Sequence, residues 1–439
     1  MQFPNLLTHE AVKPRLIRTF FYLLLYLLGL NILLPFVPAE MLYYQDYVGG
    51  DSLAKSLNAM NERSTFTHNV SILALGVSAY YLASLIAALI IPILYRNKEG
   101  NERSIRRWVK GLTLVIALLQ AASYSKSISA NFFGFQTPAF ALLLTWLVLV
   151  AGAMACMWIA DKISEQGLMD GRILLLCIEL FIGFPSALFT ELSNKLLSGQ
   201  LLQLGIEVGA WFAILVGIVA LTQAIRYIPL KFKEGQEKSG EKLEKPTLRV
   251  HFNMVDEFPL GLATYFNFLA ILPLIVTGPD NALARMLLTF SNPASLPAMA
   301  VAFCFIFLAT YIFVAVVLAP RYYTELLEEW DASIPGAKEE GSWDFFRQLF
   351  NRLGFPLAVF LGIIGILPGL SVFIFNATPG FSTYFGGFSL FLIISLVTDF
   401  FSKVEQTAQG ASSIVGRSTT PELGLAYELE IGYEKAAGD

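Results

Sequence analysis

Ten apolar stretches, separated by short polar segments, dominate this chain. They lie at roughly 17–37, 70–94, 109–128, 137–160, 172–190, 203–225, 257–277, 295–319, 353–375 and 385–402. About 20 helical residues cross a hydrocarbon core of about 30 Å, because an α-helix rises about 1.5 Å per residue. In lipid the backbone polar groups must be paired internally, which leaves helices as the fitting structure for such stretches. We therefore predict an all-α integral membrane protein with ten transmembrane helices.

The composition excludes an ordinary soluble globular protein. The mean hydropathy is +0.60 and only 15% of the residues are charged, whereas soluble domains contain about 25% charged residues. The three cysteines, Cys156, Cys177 and Cys304, fall inside apolar stretches, so neither a disulfide framework nor a metal site is expected. The apolar stretches also contain no paired nucleophile and base for an intramembrane hydrolase. We expect no catalytic residues, no enzyme activity and no cofactor.

The distribution of basic residues predicts the orientation. With a cytoplasmic N-terminus, five of the 30 basic residues fall in outside loops, and the other 25 lie on the cytoplasmic side or at its border. The five are Lys55, Arg63, Lys126, Lys195 and Arg285. Because cytoplasmic loops carry an excess of Lys and Arg, we predict that both termini are cytoplasmic in a multi-pass protein of the cell membrane.

Polar residues inside the apolar stretches indicate a cavity. The stretch 70–94 contains Gly76, Ser78, Ser84 and Tyr81, which a helix facing only lipid does not need. Small and hydroxyl-bearing residues are typical of helices that pack closely or line water. This stretch is therefore interpreted as the wall of a pore.

Three intramembrane carboxylates leave a second hypothesis open. Glu179 lies in the fifth stretch, and Asp256 and Glu257 lie at the start of the seventh. An ionisable group at membrane depth is a functional-site hypothesis by default, although Glu179 could equally be a hydrogen-bonded structural group. Interrupted helices with carboxylates near the midplane are also typical of secondary transporters, in which these three residues would couple ion movement.

Several phrases, in the same order and spacing, resemble SecY, the channel subunit of the Sec protein translocase, over about 13–405. They are SILALGVSAYYLASL, KEGNERSIRRWVKGLTLVIALLQ, WIADKISEQGLMDGRILL, FNMVDEFP, GILPG and YFGGFSLFLIISLVTDF. The resemblance implies two pseudo-symmetric five-helix halves around a central pore. The implied units are an N-terminal half 1–200 with a plug-like segment 39–68, a C-terminal half 201–403 with cytoplasmic loops 226–251 and 320–350, and a tail 404–439.

The implied function is a protein-conducting channel that passes unfolded secretory polypeptides across the membrane and releases apolar segments laterally into it. By this resemblance, six residues form the pore ring: Val77, Tyr81, Leu176, Phe258, Gly261 and Leu392. Three polar residues match the lateral gate between the second and seventh spans: Gln120, Asn253 and Ser84.

The resemblance also implies partners. Five basic residues match positions that dock a cytoplasmic partner: Arg226, Lys231, Lys233, Arg321 and Lys338. The implied partners are a small SecE-like membrane subunit, a second SecG-like one, and a SecA-like motor ATPase or a ribosome, besides the secretory polypeptides and the lipid bilayer.

The chain departs from the family pattern at several of these positions. Tyr81 occupies a ring position that is usually aliphatic, and another ring position is Gly261. An Arg-Pro-Gly of the second cytoplasmic loop is replaced by Lys338-Glu339-Glu340, and lysine cannot reproduce the planar bidentate contacts of arginine. These departures predict a specialised version of the channel.

Deleting about ten residues around Gly49–Leu57 is expected to raise the resting ion conductance, since a plug seals a narrow apolar neck that otherwise conducts when wetted. Conductance of the purified protein in planar bilayers measures this effect. An unchanged conductance would show that the segment is not a plug.

Overall fold

The computed structural model describes ten helices and five short strands. The described residues are 12–35, 71–94, 102–133, 139–232, 246–251, 258–264, 295–316, 324, 327, 332–335, 342–378, 381–382, 384, 387–409 and 431–433. The plug-like segment 39–68 lies outside them. All structural statements below concern the described part of the chain.

Each helix overlaps one of the ten predicted apolar stretches, and several extend beyond it. They are α1 (Val12–Leu30), α2 (Ser78–Leu94), α3 (Glu102–Phe133), α4 (Ala139–Gln166), α5 (Gly171–Leu197), α6 (Leu201–Thr222), α7 (258–264), α8 (Leu296–Val316), α9 (Ser342–Phe375) and α10 (Phe388–Gln409). Five of them, α4, α5, α6, α8 and α9, are long and apolar enough to cross a membrane. The helical membrane architecture is therefore confirmed, while the count of ten spans stays a prediction.

Two small antiparallel sheets were not predicted and lie outside these helices. In the first, β1 (Ile225–Pro229) pairs with β3 (Pro246–His251), which also pairs with β5 (Ile431–Tyr433). In the second, β2 (Lys231–Phe232) pairs with β4 (Ala332–Ser333). The predicted loops 226–251 and 320–350 and the tail 404–439 thus each contribute strands. In the first of these segments Ile228 and Leu230 are buried and the residue between them is exposed, which is the alternation of a strand. The many charged residues around them make this short pattern hard to recognise in the sequence.

Helix α2 lies at the centre of the bundle. It packs against α3, α4, α5 and α8, and Ala79, Leu82 and Ala83 are almost wholly buried. A helix that is apolar all round fits such a central position. Peripheral helices instead expose large apolar side chains, such as Phe20 on α1 and Phe212 on α6, which are 65% and 57% exposed. Lipid is the solvent that such a surface requires.

A non-helical turn over 71–77 precedes α2, which begins eight residues later than the predicted stretch at 70. Its backbone is paired with the end of α1, because the Ile72 amide donates to the Ile32 carbonyl at 2.9 Å and Ser71 bridges Leu33. Such irregular backbone is tolerated at membrane depth where protein surrounds it. The two ends of the segment between Leu33 and Ser71 are therefore held together.

Glycines on neighbouring elements make room for this turn. A Cβ on Gly152 of α4 would lie 1.9 Å from the Ile72 carbonyl oxygen, and a Cβ on Gly29 of α1 would lie 2.4 Å from the Leu73 side chain. Gly76, within the turn, has a φ of +54°, which favours glycine. The turn is therefore fixed by close backbone packing rather than by its own hydrogen bonds alone.

The short connection between α5 and α6 is also sharply defined. Asp170 caps the N-terminus of α5 by accepting a hydrogen bond from the Arg172 amide, and Ser198 caps the C-terminus. Gly199, with a φ of +71°, then reverses the chain into α6. A left-handed glycine just after a helix is the common way to end it.

Replacing Gly152 by alanine is expected to lower the thermal midpoint, since overpacking against a backbone carbonyl costs about 1–3 kcal/mol. The matched control is Gly209→Ala on α6, where an added Cβ meets nothing within 4 Å. That variant should be as stable as the parent or slightly more stable, because alanine is the better helix former. Equal thermal midpoints for both variants would contradict the close packing of the turn.

Candidate functional site

Five of the predicted ring residues lie on five different parts of the fold. Val77 ends the turn, Tyr81 lies on α2, Leu176 on α5, Phe258 on α7 and Leu392 on α10. Each of these five is at most 4% exposed, and all belong to one continuous apolar cluster. All five therefore lie in the apolar core of the bundle, and their grouping into a ring stays a prediction.

Gly261, the sixth predicted ring residue, lies directly beneath the Tyr81 ring. A Cβ on Gly261 would lie 2.9 Å from the Tyr81 hydroxyl oxygen and 3.0 Å from a carbon of its ring. Tyr81 also contacts Phe388 at the start of α10, with ring centroids 5.8 Å apart. The two departures from the family pattern thus compensate each other, because the bulk of Tyr81 fills the space that Gly261 leaves.

Phe258, another predicted ring residue, packs against α8. Its ring lies 4.3 Å, centroid to centroid, from that of Phe313 on α8, and Phe313 is fully buried. Two aromatic pairs, one between α2 and α10 and one between α7 and α8, therefore lie in the apolar core. Aromatic pairs at such separations contribute beyond their buried area.

The polar residues predicted for the lateral gate form separate contacts. Ser78 at the start of α2 donates from its hydroxyl to Gln120 Oε1 on α3 at 3.3 Å, and Gln120 is buried. Ser84 donates to the Tyr81 carbonyl within α2 at 2.6 Å. Gln120 is therefore joined to α2, Ser84 bonds its own helix, and Asn253 lies outside the described residues.

Glu179 connects three parts of the fold. The Tyr26 hydroxyl of α1 donates to Glu179 Oε1 at 2.5 Å. The same oxygen lies against Gly76, where a Cβ would be only 2.0 Å away. This carboxylate therefore holds α1 and the turn against α5, as expected for a hydrogen-bonded structural group. The other two candidate ion-coupling residues, Asp256 and Glu257, lie outside the described residues.

A charge network joins α2, α4, α5 and α10 near the start of α5. Arg172 Nη2 lies 2.6 Å from Asp170 Oδ2, and the Asp170 amide donates to Asp399 Oδ2 on α10 at 3.1 Å. The Arg172 guanidinium lies 5.9 Å from the centroid of Tyr80, whose hydroxyl donates to Asp161 at 2.6 Å. Burial alone would raise the pKa of Asp170, but the Arg172 guanidinium outweighs it and lowers that pKa to about 2. Asp170 is therefore ionised at any physiological pH.

Sequence reasoning missed a second buried charge group. Glu191, Lys195 and Glu207, which we call the hairpin charge cluster, lie on both sides of the α5–α6 connection and are at most 3% exposed. The Lys195 ammonium lies 3.7 Å from Glu191 Oε1 and 3.9 Å from Glu207 Oε2. The orientation prediction places Lys195 in an outside loop, whereas it lies in the last turn of α5. In the sequence, only the four-residue spacing of Glu191 and Lys195 indicates a pair.

Two of the predicted docking residues lie on the small sheets. Arg226 on β1 and Lys231 on β2 are both exposed. Lys231 is paired with Ser333 of β4, so residues of the two predicted cytoplasmic loops meet in one sheet. The other three docking residues, Lys233, Arg321 and Lys338, lie outside the described residues.

Comparison of the sequence with known proteins finds similar proteins. A family model described as SecY matches residues 71–401. The protein translocase subunit SecY of Aquifex aeolicus (strain VF5) is 27% identical over 417 residues, which cover 90% of this chain and 94% of that protein. The match therefore extends over nearly the full length of both chains.

Solved structures share the fold. One, described as the structure of a protein conducting channel, aligns with a TM-score of 0.63 at 16% identity and covers 92% of this chain and 96% of that one. Another, described as Sec61 in the canine ribosome-channel complex from the endoplasmic reticulum, aligns with a TM-score of 0.59 at 15% identity and the same coverage. These similarities concern the fold.

Replacing Gly261 by alanine is expected to destabilise the protein through contact with Tyr81, by about 1–3 kcal/mol. In a Tyr81→Val background the added Cβ meets less bulk, so the second substitution should cost less than it does alone. Thermal unfolding of the two single variants and the double variant measures this coupling. The control is Gly217→Ala on α6, where an added Cβ meets nothing within 4 Å; strictly additive effects would contradict the contact.

Proposed function

This chain belongs to the SecY family, and on that premise we propose that it is the channel subunit of a protein translocase. It passes unfolded secretory polypeptides across the membrane and releases apolar segments laterally into the bilayer. The observation that carries this function is the match of the SecY family model to residues 71–401. The burial of Val77, Tyr81, Leu176, Phe258 and Leu392 in the apolar core is compatible with the proposed constriction. The subunit is a channel and not an enzyme.

An apolar constriction explains how such a channel stays closed to ions. A narrow neck lined by apolar side chains expels water, and an ion that enters it would lose its hydration without gaining ligands. An extended polypeptide can instead displace the side chains, which move without breaking strong polar bonds. The contacts of Tyr81 with Gly261 and Phe388 are van der Waals and ring contacts, so a polypeptide could displace Tyr81 without breaking them as strong polar bonds.

Lateral release requires α2 and α7 to part. Their contact includes Tyr81 and Gly261, and it is the part of the cluster that a transmembrane segment would have to replace. A Leu-rich segment gains several tenths of a kcal/mol per residue in lipid. Gln120, Ser84 and Asn253 are proposed to set how apolar a segment must be before it opens this gate.

The proposed topology has ten spans in two pseudo-symmetric halves, 1–200 and 201–403, with the segment 39–68 as plug and 404–439 as tail. Both termini are proposed to lie on the cytoplasmic side of the cell membrane. The excess of basic residues on that side supports this orientation.

A cytoplasmic partner is proposed to dock on the small sheets. The pairing of β2 with β4 supports this, since it joins the loops 226–251 and 320–350 and leaves Arg226 and Lys231 exposed. The Sec61 channel with a similar fold is described in a complex with the ribosome. A ribosome or a SecA-like motor ATPase fits this position, with Lys233, Arg321 and Lys338 as further contacts. SecE-like and SecG-like subunits are proposed to pack on the exposed apolar helix faces.

The transporter hypothesis is not retained. Glu179, its best-defined candidate, is bonded to Tyr26 and packed on Gly76, which gives it a structural role. The family match points to a protein-conducting channel, which needs no ion-coupling carboxylate.

The test is photo-crosslinking in membranes with a stalled secretory chain. A photo-reactive residue at Leu176 or Leu392 should form adducts with the polypeptide, since both side chains would face it in the neck. The matched control is Phe212 on α6, which is 57% exposed on the lipid-facing surface and should yield lipid adducts. Polypeptide adducts at Phe212 but not at the two buried positions, in folded protein, would contradict the proposed pore.

A further inference from the structure

The hairpin charge cluster has one positive charge too few. It contains one ammonium, Lys195, and two carboxylates, Glu191 and Glu207, of which both carboxylates are fully buried. In the described structure no other charged group is paired with these three. An uncompensated buried charge is strongly unfavourable, so a group with this surplus needs a further cation or a proton.

The surplus negative charge is located at Glu207. Glu191 Oε2 accepts hydrogen bonds from the Thr378 amide and from its hydroxyl, both at 2.7 Å. Neither carboxylate oxygen of Glu207 accepts a hydrogen bond in the described structure, and the one cation paired with it there is Lys195, at 3.9 Å. Buried carboxylates are almost always hydrogen-bonded, so Glu207 lacks the partner that its burial demands.

We propose that Glu207 holds one further unit of positive charge, supplied by an alkali-metal ion or by a proton. With this charge the cluster is neutral, because two carboxylates then balance the ammonium and the added cation. The binding atoms are the two unpaired Glu207 oxygens together with Glu191 Oε1, which likewise accepts no hydrogen bond.

The hairpin charge cluster lies where the α5–α6 hairpin contacts the end of α9. Lys195 on α5 and Gln203 on α6 both donate to the carbonyl oxygen of Phe375, the last residue of α9. Glu191 on α5 bonds Thr378, just beyond α9. A neutral cluster thus locks the α5–α6 hairpin to the end of α9. If the chain is divided at residue 200, as proposed above, this lock spans the only covalent link between the two halves.

The experiment measures thermal unfolding of the full-length chain in nanodiscs, in sodium, lithium or choline chloride at equal ionic strength. The variants are Glu207→Gln, Lys195→Met and the double variant. The matched control is Glu165→Gln, which removes a carboxylate from a partly exposed pair with Arg106 and Lys162. No translocation is involved, so failure here is distinguishable from failure of the proposed channel function.

Glu207→Gln is expected to keep or raise the thermal midpoint, because the neutral amide needs no added charge. Lys195→Met should lower it by several degrees, because it removes the ammonium from the buried carboxylates. Adding Glu207→Gln should recover most of that loss if Glu207 holds a metal ion and little of it if Glu207 holds a proton, since the amide and the protonated acid are both neutral. A parent midpoint that is higher in sodium or lithium than in choline, with no such response in Glu207→Gln, identifies an alkali-metal ion. Equal midpoints in all three salts, with a parent midpoint that falls as the pH rises and no such fall in Glu207→Gln, identify a proton. A parent whose midpoint differs from that of Glu207→Gln in its dependence on neither salt nor pH would overturn the proposal. A loss in Glu207→Gln as large as that in Lys195→Met, in every salt, would overturn the proposal.

Discussion

Every polar backbone group away from water must find a partner inside the protein, and the whole structure depends on this requirement. Helices meet it within one segment, which explains the long apolar helices. The turn over 71–77 meets it differently, since Ile72 bonds the end of α1 and glycines on α1 and α4 let the backbone approach. Because the turn is paired and enclosed, α2 can begin deep inside the bundle and place Tyr81 against α7.

Buried charged side chains also need partners, because an unpaired buried charge costs more free energy than an unpaired backbone group. Asp170 is paired with Arg172, and its amide bonds Asp399, so the start of α5 is tied to α10. Glu179 accepts from Tyr26 and supports the turn. In contrast, the centre of the bundle is joined by apolar and aromatic contacts. Strong polar contacts therefore lie around a region in which Tyr81 packs on Gly261 and Phe388, and such packing suits a channel that must open there.

The sequence predicted the helical class, because long apolar stretches depend on local composition, whereas the grouping of the ring residues stays a prediction. It placed the start of α2 too early, since an apolar composition does not reveal that Ser71 pairs with Leu33 instead of continuing a helix. The strand pairing of β2 with β4 and the meeting of Lys195 with Glu207 also escaped prediction. Both join residues that are distant in sequence or separated by a turn, and their contacts arise only from the tertiary fold.

The bridge between Leu33 and Ser71 has a kinetic consequence. A segment whose two ends are anchored at one point cannot diffuse away when it is displaced, whatever conformation it adopts. Its effective concentration at that point is set by the length of the loop and not by the amount of protein, and for short tethers it reaches the millimolar range. With the proposed plug role of segment 39–68, its return after displacement would therefore be a first-order process, independent of the amount of protein in the membrane.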